Sequence, residues 1–251
     1  MNGEYSRYKD LQGRLAVVTG GSTGIGAAIS AGFLRQGCDV AIIDLVEPEL
    51  PAFPESGGTI AYHQCDLRDI PALQACCARI LDAGKTPSFL VNNAANDIRH
   101  EFEDLTPERF DDLLAVNLKH YFFMIQNLAA PMASAGGGAI VNIGSHAAYI
   151  GASMMPAYGI AKAGVFGLTR AAARKYGRQN IRVNQVVPGW VMTKKQKHLW
   201  WTPEADARRA EAQCIPDELQ PDDITEFVLF LCSGSARMCT NQTYFVDGGR
   251  N

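Results

Sequence analysis

Seven short apolar runs recur along the chain, at 15–19, 39–44, 59–64, 89–93, 139–145, 181–187 and 243–247. Helical stretches at 25–36, 70–81, 110–132, 156–176 and 224–232 lie between most of them. A short apolar strand is apolar on both sides only if both faces of its sheet are covered, and helices between strands supply that cover. The alternation therefore predicts βαβ units, a mainly parallel sheet of about seven strands and helices on both faces. Right-handed crossovers make this a doubly wound α/β fold of the Rossmann type, and 251 residues suit one domain over 1–251. The Pro- and Gly-rich stretch 47–58 reads as a surface loop within that domain.

The turn after the first run is Thr19-Gly20-Gly21-Ser22-Thr23-Gly24-Ile25-Gly26. Glycines allow a tight turn and a close approach of backbone to a pyrophosphate, which rests on the free amides opening the next helix. A glycine turn alone is weak evidence. Asp44 strengthens it, because it ends the second run 18 residues after Gly26. That distance is close to the roughly 20 residues expected for a carboxylate that binds an adenosine ribose. A carboxylate there accepts hydrogen bonds from both ribose hydroxyls and repels a 2′-phosphate. No basic side chain stands at Leu45, Val46 or within Gly21-Ser22-Thr23, so NAD is the expected cofactor.

A second pattern is Tyr158-Gly159-Ile160-Ala161-Lys162. Positions i and i+4 share a helix face, so phenol and ammonium can open into one cleft. A free tyrosine, with pKa about 10, is a poor base at neutral pH. A cation about 4 Å away, at an effective dielectric near 20, supplies about 4 kcal/mol toward ionising it. Ser145, thirteen residues upstream, ends the fifth run, where α/β folds gather ligand-binding groups. Alone, such a Tyr/Lys pair is common on surface helices.

The bulk properties exclude several alternatives. With 47% hydrophobic and 20% charged residues and a net charge of −3, the chain lacks the basic excess of a nucleic-acid binder. Seven cysteines without a CxxC pair argue for reduced thiols rather than a disulfide framework or a metal site. The stretch 1–14 is polar, and no apolar run reaches membrane-spanning length, so a cytoplasmic enzyme with no membrane partner is expected.

Together these motifs resemble the classical short-chain dehydrogenase/reductase family. The likeness extends from about Leu11 to Gly249 and includes Asp66, Asn92-Asn93-Ala94, Asn117, Pro188-Gly189 and the terminal Val246-Asp247-Gly248-Gly249. Ala95 departs from it, standing where the family usually has glycine. The resemblance implies a cofactor site of Gly20, Ser22, Thr23, Gly24, Ile25, Gly26, Asp44, Asp66, Leu67, Asn93, Tyr158, Lys162, Pro188, Gly189, Val191 and Thr193. Within it, Asp66 takes the adenine and Val191 and Thr193 meet the carboxamide or phosphates. It also implies a catalytic set. Tyr158 moves the proton, Ser145 binds the reacting oxygen and Lys162 holds the ribose hydroxyls. Asn117 keeps a water linking Lys162 to solvent. Hydride passes directly to nicotinamide, so no metal is expected, and the family implies a homotetramer.

Substrate choice rests on the segment after the sixth run, a lid at about 189–215 that holds Trp190, Trp200 and Trp201. The segment 188–204 and the stretch 92–100 resemble the sugar 1-dehydrogenase branch, which oxidises aldoses to lactones. The stretch 145–149 departs from it. Trp190 is read as a substrate wall, and Trp200 and Trp201 as lid packing. Lys194, Lys195 and Lys197 are read as a solvated helix face, and Met154 and Met155 as the pocket rim. Asn96 and His146, with Ser145 and Tyr158, are candidate partners for sugar hydroxyls. A dehydrogenase of another secondary alcohol, such as a 3-oxoacyl thioester reductase, and a catalytically silent binding protein on the same fold are the competing readings. Asp44→Ala is expected to weaken NAD use and narrow the gap to NADP in steady-state kinetics. Equal efficiency with both cofactors in the unmodified protein would refute the carboxylate reading.

Overall fold

The computed structural model describes residues 5–49 and 57–250. Most of the loop expected at 47–58 lies outside the described residues. Along the chain run β1 (Leu15–Thr19), α1 (Gly24–Arg35), β2 (Asp39–Asp44), β3 (Ile60–Gln64), α2 (Ile70–Asp82) and β4 (Phe89–Asn92). Then follow α3 (Pro107–Leu114), α4 (His120–Ser134), β5 (Gly138–Ile143), α5 (Pro156–Tyr176) and β6 (Ile181–Pro188). The last elements are α6 (Lys194–Leu199), α7 (Pro203–Glu211), α8 (Pro221–Cys232) and β7 (Thr243–Val246). The sheet order is β3-β2-β1-β4-β5-β6-β7, and every neighbouring pair is parallel. This is the doubly wound fold that the alternation predicts, with its topological switch between β1 and β4.

Successive strand residues feed two cores, as a period of two requires. Ala16, Val18, Val40, Ile42, Val91 and Val141 pack against Ile29 and Phe33 of α1 and Ile224, Val228 and Leu229 of α8. Val17, Ala41, Ile43, Leu90 and Ile140 pack on the other face, against Leu73, Cys76 and Ile80 of α2 and Met124, Leu128 and Met132 of α4. All seven cysteines are free, five of them buried.

Helix starts follow local chemistry. Asp69 accepts from the Ala72 amide at 3.0 Å and opens α2, while Thr106 accepts from the Arg109 amide at 3.3 Å and opens α3. One helix differs from expectation. The continuous stretch expected at 110–132 is divided by a π-helical turn, Ala115–Lys119. Asn117, wholly buried, sits in that turn and donates to the Leu113 carbonyl at 2.9 Å. A side chain bonding one turn back competes with the backbone ladder and widens the helix there. The lid also differs, since it holds two short helices, α6 and α7, that the apolar pattern does not reveal. Their signal is in the caps. Thr193 accepts from Gln196 and Thr202, followed by Pro203, accepts from Ala205.

Candidate functional site

The carboxyl ends of β1, β2, β4, β5 and β6 open on one edge of the sheet, and a cleft of about 1460 Å³ lies there under the lid. Its first wall is the glycine turn. Gly20 has φ +62°, and an added Cβ would stand 2.7 Å from Ala94 Cα, so only glycine lets the β4 loop come this close. A Cβ on Gly26 would stand 1.9 Å from the Gly20 carbonyl oxygen, and it would fill the cradle. Asn93 locks the two together, donating from Nδ2 to the carbonyls of Thr19 and Gly20 at 3.1 and 3.0 Å.

Asp44 is bound to the same turn, accepting from the Ser22 amide at 3.0 Å and the Leu45 amide at 2.7 Å. Asp66 lies near it, gripped by two nitrogens of Arg68 that hold its carboxyl below the ordinary carboxylate range. Thr23, Ile25, Leu67, Pro188, Gly189, Val191 and Thr193 also line the cleft. Ser22 and Gly24 do not: the Ser22 side chain is buried, and its amide is engaged by Asp44. A glycine cradle at a helix N-terminus with a carboxylate at the next strand's end fits an adenine dinucleotide.

The floor is built from β5 and α5. Ser145, Tyr158 and Lys162 all line it. The Ser145 hydroxyl bonds the Tyr158 phenol and also accepts from the Ala147 amide at 3.2 Å. Lys162 Nζ lies 5.7 Å from the centre of the Tyr158 ring. In the protein alone burial dominates both groups. It pushes Tyr158 up to about 12, against the Ser145 bond, and Lys162 down to about 7, against the Asp97 carboxylate. Lys162 donates to the Tyr121 hydroxyl at 2.8 Å and the Ile143 carbonyl at 2.9 Å. Tyr121 is a site residue that the sequence patterns do not single out.

Asn117 stands behind this floor rather than in it. Its Oδ1 accepts from the Asn96 amide at 2.8 Å, and its Nδ2 donates to the Asn96 carbonyl at 3.1 Å. Those bonds staple the β4 loop to the π turn.

The roof is the lid. Trp190, Trp200, Met154, Met155, Asn96 and His146 line the cleft, while Trp201 is not among its walls. His146 Nε2 faces the Asp247 carboxylate at 3.5 Å, and burial, opposed by that carboxylate, lowers its pKa. Trp190 donates from its indole to Gln196 Oε1 at 2.9 Å, and Gln196 Nε2 donates to Asp97 Oδ2 at 2.6 Å. Lys195 pairs with the other oxygen of Asp97. Burial pushes Asp97 upward, but Lys195 and Gln196 outweigh it and hold the carboxyl below its ordinary value. Arg99 stacks on Trp200 at 3.5 Å, a second tie between the β4 loop and the lid. Lys195 and Lys197 are thus ion-paired, the latter with Glu218 at 2.9 Å, rather than simply solvated.

A family profile described as "Enoyl-(Acyl carrier protein) reductase" matches residues 20–251. The chain belongs to the short-chain dehydrogenase/reductase family, whose members bind a nicotinamide cofactor. It is 42% identical to D-xylose 1-dehydrogenase of Caulobacter vibrioides (strain NA1000 / CB15N) over 246 residues, covering 96% of this chain and 97% of that one. It is also 42% identical to a probable galactose dehydrogenase of Rhizobium meliloti (strain 1021) over 249 residues, covering 97% of each. Among solved structures, a 7α-hydroxysteroid dehydrogenase complexed with NADH and 7-oxo glycochenodeoxycholic acid superposes with a TM-score of 0.88. It is 31% identical, with 96% of this chain and 95% of that chain covered.

The lid geometry makes a prediction that needs no substrate. With Trp200 and Trp201 replaced by Phe, Trp190 is the sole tryptophan, and its fluorescence reports the Asp97–Gln196–Trp190 chain. Gln196→Leu leaves the indole N–H and one carboxylate oxygen without partners, at a cost of about 1–3 kcal/mol for each group. A red-shifted, broadened emission is expected. Asp97 has a depressed pKa, so its contribution is complete above the ordinary carboxylate range and fades as pH falls through the lowered value. Emission unaffected by Gln196→Leu would show that the chain does not hold the tryptophan.

Proposed function

We propose that this single-domain enzyme oxidises a cyclic aldose at its anomeric carbon, yielding a lactone and NADH. The observation that carries the reading is the full-length 42% identity to two sugar dehydrogenases, joined to a cleft whose floor holds Ser145, Tyr158 and Lys162. NAD is preferred because Asp44, at the end of β2, would meet the adenosine ribose, and Arg68, a cation lining the same cleft, is already engaged by Asp66.

Each residue has a duty derived from its surroundings. The Ser145 hydroxyl bonds the anomeric oxygen and keeps it beside Tyr158. As phenolate, Tyr158 accepts the anomeric hydroxyl proton, and the oxygen's electron pair closes the carbon–oxygen double bond. The carbon–hydrogen bond breaks with its electron pair, and a nicotinamide held by Lys162 and the cleft lining would supply the acceptor for that hydride. The ammonium of Lys162 lowers the free energy of the phenolate and would hold the nicotinamide ribose. The positive charge of an oxidised nicotinamide would act in the same direction, against the burial that holds the phenol high. Asn117 braces the loop that carries Asn96 and Asp97. Asn96 and His146 receive ring hydroxyls, and Trp190 packs on the sugar's C–H face. Apolar side chains left exposed on α4 and α5, including Phe122, Ile160 and Phe166, support self-association, and we read the assembly as a cytoplasmic homotetramer. No described helix is long and apolar enough to cross a membrane.

A relative described as a 3-oxoacyl-[acyl-carrier-protein] reductase, 32% identical over 246 residues, favours a second reading, oxidation of another secondary alcohol such as a hydroxyacyl thioester. One experiment separates the two: NADH production from pentoses, hexoses, 6-deoxyhexoses and hydroxyacyl thioesters, with the product identified. Activity on aldoses is expected, rising with pH through the apparent phenol pKa because the base form is required. Tyr158→Phe should lower the rate about 10²–10⁴-fold while NAD still binds. Turnover confined to thioesters would transfer the assignment to the second reading.

A further inference from the structure

We propose that the Tyr121 hydroxyl is a positioning group for Lys162, fixing its ammonium against the β5 carboxyl end and so controlling how readily Tyr158 acts as a base. The inference deepens the dehydrogenase reading and rests on it for the role of Tyr158. Tyr121 is the first large aromatic after the π turn, at the start of α4, and its side chain is wholly buried. Its oxygen donates to the Ile143 carbonyl at 3.1 Å and accepts from Lys162 Nζ at 2.8 Å. Lys162 also donates to the Ile143 carbonyl, at 2.9 Å. Phenol, ammonium and carbonyl therefore form a closed ring of three hydrogen bonds. An ammonium has three donors. Two are committed inside the ring, which aims the third at the cleft that Lys162 lines.

A buried tyrosine that merely needs a partner for its hydroxyl is satisfied by the Ile143 carbonyl alone. The ammonium gains more from the arrangement. It is almost wholly removed from water, and among the described residues its hydrogen-bond acceptors are Tyr121 and Ile143. Hydrogen bonds to a charged group stabilise it more than neutral ones do. The surroundings do not compensate. His120, also on α4, stacks edge-on to Tyr121 at 4.5 Å and is kept neutral by burial, with the Lys162 charge adding to that effect. Asp97, on the β4 loop, attracts Lys162 only through space. Tyr158, on the same helix as Lys162, and Ser145, beyond β5, line the same cleft. The widening of the helix at Ala115–Lys119 falls just before Tyr121 and sets its rotation about the helix axis.

Tyr121→Phe keeps the ring and removes only the acceptor. The charged form of Lys162 then loses one of its two partners, less positive charge stands beside Tyr158, and the phenol ionises less readily. The ascending limb of the pH–rate profile should move up by about one unit, because a bond to a charged group is worth about that much. Below the shifted limb the rate falls about tenfold, and at high pH it returns to the unmodified plateau. A purely structural role for Tyr121 would lower the rate by a similar factor at every pH. A second measurement needs no turnover. Ultraviolet titration of tyrosinate, taken as the difference between each protein and its Tyr158→Phe counterpart, reports Tyr158 alone, with and without NAD. It reads the linkage whether or not aldoses prove to be substrates, so failure of the two ideas is distinguishable. If Tyr121→Phe does not fold, Tyr121→Met removes the acceptor with a side chain that adapts to irregular gaps. A raised phenol pKa in the variant supports the assignment. Superimposable titrations and pH profiles, or a uniform loss at all pH values, would overturn it.

Discussion

Two parallel strands cannot be joined by a tight hairpin, so each connection in an all-parallel sheet must cross back over a face before the next strand starts. Everything else in this molecule follows from that constraint. The crossings cover both faces, which is why the strands are apolar on both sides and why two separate cores exist. They also leave every carboxyl end on the same edge. Groups far apart in the chain, such as Gly20, Asp44, Asn93, Ser145 and Pro188, are delivered to one cleft without any local signal linking them.

The chemistry at that edge depends on opposed electrostatic demands. Burial disfavours every charge, and it holds Tyr158 high and Lys162 low when the protein is considered by itself. Hydrogen bonds to Tyr121 and Ile143 keep a cationic lysine tolerable at that depth. In the proposed mechanism the ionised phenol would be supported by a fixed ammonium rather than by water, whose dielectric would weaken the attraction.

The lid solves a different problem. Its helices are short, and little of α6 is buried, so its position depends on polar ties to the β4 loop. Gln196 can satisfy both neighbours in only one orientation, because the indole is purely a donor and the Asp97 carboxylate purely an acceptor. The β4 loop is held in turn by Asn117. Floor, loop and roof are therefore mechanically connected through a residue that does not itself line the cleft.

The sequence alone determined the sheet, its seven strands, the glycine turn with Asp44 and the Ser145, Tyr158, Lys162 set. Each of these is written in local periodicity or fixed spacing: period two for strands, i and i+4 for the Tyr/Lys face, a strand-turn-helix context for the glycines. Strand limits were legible to within a residue or two for the same reason. The division of the 110–132 helix was not, because nothing in its periodicity shows that Asn117 bonds back to the Leu113 carbonyl. Nor were the ties Arg99–Trp200 and Asp97–Gln196, or the contact of Tyr121 with Lys162, whose partners lie 41 residues apart. Ser22, whose cofactor contact is implied by the resemblance alone, uses its amide to hold Asp44, a tie that no local pattern reveals. Periodicity encodes which face a residue takes. Only the packed tertiary structure decided which buried polar group meets which, because a hydrogen bond is set by distance and angle between elements that the chain brings together last.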